Sequence, residues 1–283
     1  MAKLTDLLVV SDLDGTLLQA GYGIPKDNLD AIERFTANGG RFSLATGRSV
    51  SSVRRYIEWI RPTVPVILIN GALIYDFNRE EVLFDQPLPE TFFDIVQEVM
   101  ATFPDVGVEL HNKRGITVAR QNEQTNQHLA AERTPYDLAD ITHLKEFRWN
   151  KALFACPEQK IKQVNNYISA RRKTANYRDF EFVRSSQVFL EVLSKNINKG
   201  TGLEKLAELT DTPLSNTVVI GDYFNDLPMF EIAGYSAAVA NAPIEVRSRA
   251  DATILACLQG GAGEFINSLD MLCDGFEQLR LDI

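Results

Sequence analysis

The sequence is poor in the features that would place a protein in a membrane, outside the cell or on a nucleic acid. No apolar run approaches the roughly 18 residues of a membrane span, and the run at residues 64–69 is interrupted by Pro65. The apolar stretch at residues 7–10 is too short for an export signal. Basic residues are outnumbered, 29 Lys and Arg against 38 Asp and Glu, which gives a formal charge of -9, whereas nucleic-acid binding needs a basic face. We therefore expect a folded cytoplasmic protein with neither a membrane nor a nucleic acid as partner.

Cysteine is scarce as well. The three cysteines, Cys156, Cys257 and Cys273, form no CxxC pair and cannot all be joined in disulfides. We expect them to be buried free thiols in a reducing compartment. Apolar residues make up 45% of the chain and charged residues 24%, which is ordinary globular usage and excludes a disordered or disulfide-stapled chain. The 283 residues suffice for one large domain or two modest ones.

The order of apolar patterns predicts an α/β fold built on a parallel sheet. Short β-rich runs at residues 7–11, 41–45 and 65–69 alternate with helical patterns at residues 27–38 and 50–60. Strands that alternate with helices in this way form parallel sheets. The same alternation returns in the last third of the chain, so we expect a Rossmann-like, doubly wound core sheet.

Between these two parts the pattern changes to helices that are each followed by a pair of strands. A helical pattern at residues 92–103 precedes two strand-like runs, and a second unit of the same order covers residues 151–193. Such a pattern is typical of an α+β domain with an antiparallel sheet. We expect this domain at residues 85–195, inserted into a core formed by residues 1–84 and 196–283.

Paired carboxylates follow the first predicted strand. Asp12 and Asp14 stand two residues apart, and Gly15 after them permits a sharp turn. Open α/β sheets bind ligands at this edge, and two carboxylates that face one site can hold a divalent cation that offsets their repulsion. Glycosyltransferases also use a DxD pair to hold metal–nucleotide complexes, and Asp and Gly also simply end strands. The pair alone leaves all three explanations open.

A second acidic cluster favours the cation site. Asp222, Asn225 and Asp226 follow the β-rich run at residues 217–220 and open a helix. Asp222 could merely cap that helix. However, the carboxyl ends of parallel strands meet at one edge of the sheet, so a single Mg²⁺ site accounts for both clusters more economically than two independent caps.

Two further segments carry groups that suit an anion. Thr46, Gly47 and Arg48 lie between the second strand and the next helix, where free backbone N–H groups attract anions. Lys199 opens a helix after Asn198, although a cation is disfavoured beside the positive end of the helix dipole. An anionic partner would relieve that repulsion. The alternatives are an ordinary strand–turn–helix connection and a solvated surface lysine.

The four segments together predict a site for phosphoryl transfer, which needs mainly positioning and charge neutralisation. Hydrolysis also needs a nucleophile and a separate proton carrier, and the two carboxylates of the first segment can divide these roles. Asp12 would attack phosphorus to give an aspartyl phosphate. Asp14 would protonate the leaving oxygen and then deprotonate the water that cleaves the intermediate. This scheme requires Asp14 to begin protonated.

The four segments, in this order, resemble the motifs of the haloacid dehalogenase superfamily of aspartate-nucleophile phosphatases over essentially the whole chain. The matching motifs are, in turn, Asp12-Leu13-Asp14-Gly15-Thr16, Thr46-Gly47-Arg48, Lys199, and Gly221-Asp222 with Asn225-Asp226. The position of the insertion and Asn70-Gly71-Ala72 after the third strand resemble the Cof-type branch, whose members include sucrose-phosphate and mannosyl-3-phosphoglycerate phosphatases. The resemblance implies that the inserted domain is a mobile cap that selects the substrate.

The resemblance also implies a role for each motif residue. The implied catalytic residues are Asp12 as nucleophile and Asp14 as acid/base. The implied Mg²⁺ site comprises Asp12, Asp14 through its backbone carbonyl, Asp222, and Asp226, which would order Lys199 or metal-bound water. The implied phosphate-binding residues are Thr46, Gly47, Arg48, Asn70, Lys199 and Asn225.

The cap offers further polar residues that could recognise a substrate, but none is supported by a motif. These residues are Glu109, His111, Lys113, Arg114, Arg184 and Ser185. For His111, His128 and His143 we expect surface or hydrogen-bonded roles, because the proposed mechanism needs no imidazole.

We therefore expect a Mg²⁺-dependent phosphatase that acts on small phosphorylated metabolites, with sugar phosphates favoured. A phosphomutase of the same superfamily is the alternative closest in chemistry. A non-catalytic phospho-receiver domain is a second alternative, but its acceptor would follow the third strand, where Asn70 cannot serve. A glycosyltransferase would leave Thr46, Lys199 and Asp222 without purpose. The identity of the substrate and the oligomeric state are left open by the sequence.

Overall fold

The computed structural model describes residues 4–172, 174 and 177–272, and its strands form three sheets. In chain order, the strands are β1 Leu8–Ser11, β2 Arg41–Leu44, β3 Val66–Leu68, β4 Leu73–Asp76, β5 Glu81–Asp85, β6 Gly107–Asn112, β7 Gly115–Arg120, β8 Tyr136–Leu138, β9 Lys151–Ala155, β10 Phe180–Arg184, β11 Phe189–Ser194, β12 Thr217–Gly221, β13 Tyr235–Val239 and β14 Ala252–Ile254. The α-helices are α1 Lys26–Ala37, α2 Val50–Ile60, α3 Phe92–Thr102, α4 Glu123–Glu132, α5 Glu158–Arg171, α6 Lys199–Leu209, α7 Leu227–Phe230, α8 Ile244–Arg247 and α9 Gly261–Leu272.

The core sheet has the spatial order β14-β13-β12-β1-β2, and every neighbouring pair in it is parallel. Strands of such a sheet are covered on both faces and are therefore almost continuously apolar. Val9 and Val10 on β1, and Val218 and Ile220 on β12, are accordingly fully buried. The predicted α/β fold with a parallel core sheet is confirmed.

The third predicted strand does not extend this sheet as a regular ladder. β3 pairs antiparallel with β4, and β4 pairs antiparallel with β5, in a separate three-stranded sheet. A single parallel bridge between Ala45 and Ile67 connects β3 to the core. The chain reverses directly after β3, where Ile69, Asn70 and Gly71 have left-handed φ values of 50°, 52° and 99°, and β4 then occupies the flank of the short strand.

The inserted segment forms a six-stranded sheet in the order β10-β11-β9-β6-β7-β8. We call this sheet, together with α3, α4 and α5, the cap. Its strand pairs are antiparallel as predicted, except that β7 and β8 are parallel. The cap has an apolar cluster of its own around Phe92, Phe154 and Leu190. The domain boundaries near residues 85 and 195 stay predictions, and the six-stranded sheet lies between them.

The sequence did not predict α4 and β8. α4 reads Glu-Gln-Thr-Asn-Gln-His-Leu-Ala-Ala-Glu, and Leu129 is its one large buried apolar residue, so the apolar periodicity that indicates a helix is missing. The helix begins at a capping box, in which Thr125 N–H donates to Asn122 Oδ1 over 2.9 Å and Thr125 Oγ1 accepts from Asn122 N–H over 2.8 Å. This helix contributes to the candidate site.

Cys156 and Cys257 are buried free thiols, as predicted, and Cys273 lies outside the described residues. Burial raises the pKa of both thiols to about 12. Within the described ranges, no helix has both the length and the apolar character that a bilayer span requires.

Candidate active site

The two acidic clusters meet at the carboxyl edge of the core sheet. β1 and β12 are parallel neighbours, and the backbone N–H of Asp12 donates to the Ile220 carbonyl over 2.8 Å. One carboxylate oxygen from each of Asp12, Asp222 and Asp226 lies within 4.8 Å of the others. The acidic residues that follow β1 and β12 therefore lie together, as the strand order predicts.

Glycines permit this close approach of the two clusters. Gly15 has a left-handed φ of 86°, and a Cβ there would lie 2.4 Å from Asp222 Oδ2. A Cβ on Gly221 would lie 2.5 Å from Asp226 Cγ. Both contacts are shorter than non-bonded atoms allow, so Gly15 lets the loop after β1 approach the turn after β12, and Gly221 lets that turn fold back on Asp226.

Lys199 lies behind the carboxylates and is fully buried. Its Nζ donates to Asp12 Oδ1 over 2.5 Å and to Asp226 Oδ1 over 2.6 Å. Burial alone would lower the pKa of Lys199, but attraction to Asp12 and Asp226 outweighs burial and raises it. Lys199 is the first residue of α6, and Asn198 caps that helix by accepting from Thr201 N–H over 3.0 Å. Because Asn198 fixes where α6 begins, it also fixes the point at which the ammonium group of Lys199 enters the site.

Asp226 closes the turn after β12. Its Oδ2 accepts hydrogen bonds from the backbone N–H groups of Asp222 and Tyr223 over 2.8 and 2.9 Å, while its Oδ1 accepts from Lys199. Both oxygens of Asp226 are thus engaged. Asp226 orders Lys199 directly, whereas its part in holding a metal stays a prediction.

The residues at this edge fit a hard divalent cation. Asp12 Oδ2 is buried and has no hydrogen-bond partner among the described residues. Burial raises the pKa of Asp12 to about 7, with Asp226 and Asp14 adding to the rise and Lys199 opposing it. Burial also raises the pKa of Asp222, and the nearby Asp12 and Asp226 raise it further. Three carboxylates around one ammonium leave an excess of negative charge in oxygen ligands, which Mg²⁺ or Ca²⁺ would neutralise.

The loop after β2 faces the same cleft. Thr46 is buried, and its Oγ1 accepts from Arg48 N–H over 3.2 Å. The Thr46 carbonyl accepts from Asn70 N–H over 3.0 Å, so the loop is tied to the left-handed turn after β3. Gly47 lies beside Asn70 and would place a Cβ 3.3 Å from Asn70 Nδ2. The predicted phosphate-binding segment is therefore tied to the turn after β3 and lines the same cleft as Asp12.

Arg48 is engaged with other side chains in this structure. Its Nε and Nη2 each donate to a different Asp14 oxygen over 2.7 Å, and its Nη1 lies 3.2 Å from Glu132 Oε1 of the cap. A guanidinium that gives two parallel N–H groups matches the two oxygens of a carboxylate. In this conformation Arg48 therefore holds both oxygens of Asp14, the residue that the predicted mechanism uses as acid and base.

Asn70 and Asn225 form a polar bridge between core and cap. Asn225 Nδ2 donates to Asn70 Oδ1 over 3.1 Å, and Asn70 Nδ2 donates to Glu191 Oε2 on β11 over 2.6 Å. Binding of phosphate by Asn70 and Asn225 stays a prediction. In this structure the two amides connect the turn after β3 to the turn after β12 and to the cap.

Sequence reasoning missed three buried polar residues of the cleft, Glu132, Lys151 and Glu191, and did not place His128 there. Lys151 Nζ donates to the Gly47 carbonyl over 2.8 Å and lies 3.2 Å from Glu191 Oε1. The signal that could have found Glu191 is a charged residue inside an otherwise apolar strand, since charges are buried only when they are paired. His128 and Glu132 lie on the helix that the pattern did not predict.

The six cap candidates do not all line the cleft, and Arg184 lines a smaller neighbouring cavity with Lys199 and Asn225. His111, Ser185 and the missed residues line a cleft of about 810 Å³ between cap and core, together with Asp12 and Asp14. Glu109 is fully buried and paired with His111 over 3.0 Å and His128 over 2.8 Å. Lys113 and Arg114 are exposed and do not line the cleft. The two histidines of the cleft are hydrogen-bonded and His143 is exposed, as expected.

Comparison with known proteins identifies the relatives of this chain. Residues 9–266 match the sequence profile of the family described as haloacid dehalogenase-like hydrolase. The chain is 26% identical over 285 residues to the 5-amino-6-(5-phospho-D-ribitylamino)uracil phosphatase YwtE of Bacillus subtilis, which covers 92% of this chain and 97% of the relative.

Solved structures show the same fold. A haloacid dehalogenase-like hydrolase from Bacteroides thetaiotaomicron has a TM-score of 0.81 at 23% identity, covering 93% of this chain and 99% of that one. The subclass IIB sugar phosphatase BT4131 has a TM-score of 0.81 at 19% identity, covering 93% and 98% of the two chains.

Proposed function

The chain belongs to the haloacid dehalogenase-like hydrolase family and is a phosphatase, and from that premise we propose that it hydrolyses small phosphorylated metabolites with Mg²⁺ through an aspartyl-phosphate intermediate. The observation that carries this proposal is the environment of Asp12. Lys199 holds one of its oxygens, while the other is buried and lacks a hydrogen bond within the described part of the chain. An oxygen in that position is free to take one of the two tasks of Asp12, which are to bind the cation and to attack phosphorus.

The residues around Asp12 have distinct roles in this scheme. Mg²⁺, when held by Asp12, Asp222 and the backbone carbonyl of Asp14, would neutralise charge on the attacking carboxylate and the phosphoryl group. Lys199, the Thr46 hydroxyl and the backbone N–H groups of the loop after β2 would bind the phosphoryl oxygens. Asp226 would keep Lys199 charged and in place.

The proton path runs through Asp14. As Asp12 forms its bond to phosphorus, the bond from phosphorus to the leaving oxygen breaks, and that oxygen takes a proton from Asp14. Asp14 then removes a proton from the water that attacks phosphorus, and the bond to Asp12 breaks to release phosphate. Asp14 is half exposed to the cleft, so a leaving group that enters from the cap side can reach it.

We favour sugar phosphates and related polyol phosphates as substrates. The cap side of the cleft presents hydrogen-bonding groups from His111, Lys151, Ser185 and Glu191, which suit the hydroxyl groups of such a leaving group. Two similar proteins support this class, one named a sugar phosphatase and one named for a phosphoribitylamino compound.

Family membership sets aside the receiver and glycosyltransferase alternatives.

The decisive experiment is a screen of phosphorylated sugars, polyols, nucleotides and cofactors with Mg²⁺, in which the variant Asp12→Asn is measured beside the wild type. Release of inorganic phosphate without a bisphosphate activator, abolished in Asp12→Asn, would support a hydrolase. Isomerised substrate without phosphate release would support a mutase instead. Equal, negligible turnover by both proteins would overturn the proposal.

A further inference from the structure

Five side chains of alternating charge connect the interior of the cap to Asp14. Glu109 Oε2 lies 2.8 Å from His128 Nδ1, and His128 Nε2 lies 3.5 Å from Glu132 Oε1. Glu132 Oε1 lies 3.2 Å from Arg48 Nη1, and Arg48 Nε lies 2.7 Å from Asp14 Oδ2. We call these residues the charge chain. Since three of them belong to the cap and two to the core, the chain crosses the boundary between the two.

The inner members of the charge chain depend on one another. The side chain of Glu109 is fully buried, and those of Glu132, Arg48 and His128 are only 7%, 8% and 14% exposed. Burial alone would raise the pKa of Glu132, but His128 and Arg48 outweigh burial and hold that pKa below its usual range. Charges in such surroundings persist only when they are paired. Removing Glu132 would leave His128 and Arg48 as like charges without the anion between them.

The geometry makes the orientation of Arg48 dependent on the cap. His128 and Glu132 are four residues apart and therefore project from the same face of α4. Arg48 Cζ also lies 5.3 Å from the centroid of the Tyr56 ring, and two hydrogen bonds join the guanidinium to Asp14. Glu132 Oε1 faces Nη1, the nitrogen that Asp14 does not hold, as an ion pair at 3.2 Å that lacks hydrogen-bond geometry.

We propose that Glu132, held in place by His128, is a positioning residue that fixes Arg48 so that Arg48 orients Asp14 toward the leaving oxygen. The contact between cap and core and the proton transfer are then coupled, because the acid is correctly aimed only when α4 lies against the loop after β2. This inference rests on the proposed function, since it assumes that Asp14 protonates the leaving group.

The test uses substituted phenyl phosphates, whose phenols differ in acidity but little in size. The value of kcat/KM reports the steps up to phosphorylation of Asp12, and an acidic phenol leaves with little help from a general acid. We expect Glu132→Gln to stay within about 3-fold of wild type on 4-nitrophenyl phosphate and to lose at least about 10-fold on phenyl phosphate, because general acid catalysis contributes roughly 10²–10⁴-fold. Glu123→Gln, an exposed position on the same helix, should leave both values unchanged.

A double-mutant cycle separates positioning from general damage. In an Asp14→Asn background, Glu132→Gln should cause no further loss on phenyl phosphate, since the group that it positions is already gone. If Glu132→Gln does not fold, Glu132→Asp keeps the charge on a shorter side chain. Its kcat/KM should likewise fall more on phenyl phosphate than on 4-nitrophenyl phosphate. Equal losses on both substrates, no loss, or an additive cycle would each overturn this inference. The proposed function fails separately, if wild type and Asp12→Asn release phosphate at the same rate.

Discussion

Lys151 on a cap strand donates a hydrogen bond of 2.8 Å to the carbonyl oxygen of Gly47 in the loop after β2. The same ammonium group lies 3.2 Å from Glu191, and both side chains are only 3% exposed. A cap lysine thus supports the loop that is predicted to bind phosphate. Since Glu191 also accepts from Asn70, the pair connects the cap to two core turns at once.

Breaking this buried pair should destabilise the protein. We expect Lys151→Met to lower the free energy of unfolding by about 3 kcal/mol, because it leaves Glu191 buried without its cation. The double variant Lys151→Met/Glu191→Gln should lose less than the sum of the two single changes. Urea unfolding followed by circular dichroism measures both quantities.

Lys113 provides the matched control for this measurement. It lies 3.7 Å from Asp85 in an exposed ion pair, so Lys113→Met should change stability by less than about 1 kcal/mol. If Lys151→Met and Lys113→Met unfold at the same urea concentration, the buried pair does not contribute as argued.

Asp12 should be indispensable, since it is the proposed nucleophile. We expect Asp12→Asn to lower phosphate release by at least about 10³-fold while the protein stays folded, because the amide is isosteric and can still accept from Lys199. Beryllium fluoride should inhibit the wild type and should not bind Asp12→Asn, as judged by the shift in thermal midpoint. Asp137→Asn, at an exposed position on β8, is the control. Turnover by Asp12→Asn near the wild-type rate would contradict a covalent route.

Mg²⁺ should stabilise the folded protein through the acidic cluster. At a concentration one hundred times its Kd, a ligand that binds only the native state adds about 2.7 kcal/mol. We expect Mg²⁺ to raise the thermal midpoint of the wild type and EDTA to reverse the rise. Asp222→Asn should lose most of the shift, yet be no less stable than the wild type without metal, because the amide relieves repulsion from Asp12 and Asp226. A full Mg²⁺ shift in Asp222→Asn would remove that residue from the proposed site.

The charge chain predicts a loss of stability at alkaline pH. Burial alone would lower the pKa of His128, but Glu109 and Glu132 outweigh burial and raise it from 6.5 to about 10. A group whose pKa is higher in the folded state contributes stability that is complete below about pH 6.5 and lost as the pH rises to about 10. We therefore expect the free energy of unfolding of the wild type to fall by a few kcal/mol over this range. His111 is a further titratable neighbour, with its ring centroid 6.0 Å from that of His128.

The variant His128→Gln isolates this contribution. Its stability should depend less on pH between pH 6.5 and 10 than that of the wild type, whereas His143→Gln, at an exposed position, should follow the wild type. Parallel pH profiles for wild type and His128→Gln would show that His128 is not held charged by its two carboxylate neighbours.

The sequence predicted the parts of this site that the backbone determines. Asp12 and Asp222 converge because they follow neighbouring parallel strands, and Lys199 faces them because it opens a capped helix. The sequence did not predict the direction in which a long side chain points. Arg48 was expected to bind phosphate, yet its guanidinium lies on Asp14 and Glu132. A motif fixes the position of a Cα atom but not the rotamer that distant residues select.

The cap was predicted less completely for two physical reasons. α4 buries too little apolar surface to produce a helical pattern, so His128 and Glu132 could not be placed on one face. The pairing of Lys151 with Glu191 depends on β9 and β11 lying side by side, with Glu191 opposite Leu153. Register between strands that are 34 residues or more apart cannot be read from either strand alone.

Gly15 offers a sharp test of whether the site requires contact between its two acidic turns. Gly15 and Gly21 have similar left-handed φ values of 86° and 82°, so alanine is strained at both positions, at a cost of about 1–2 kcal/mol. At Gly21 no described atom lies within 4 Å of the added Cβ, whereas at Gly15 the Cβ would lie 2.4 Å from Asp222 Oδ2. We expect Gly15→Ala to lose at least as much stability as Gly21→Ala, and Gly15→Ala alone to lose Mg²⁺ affinity and phosphate release, measured by Mg²⁺ titration of activity. Equal activity in both variants would show that Asp222 can move aside without consequence, and the argument that the two turns must share this space would be wrong.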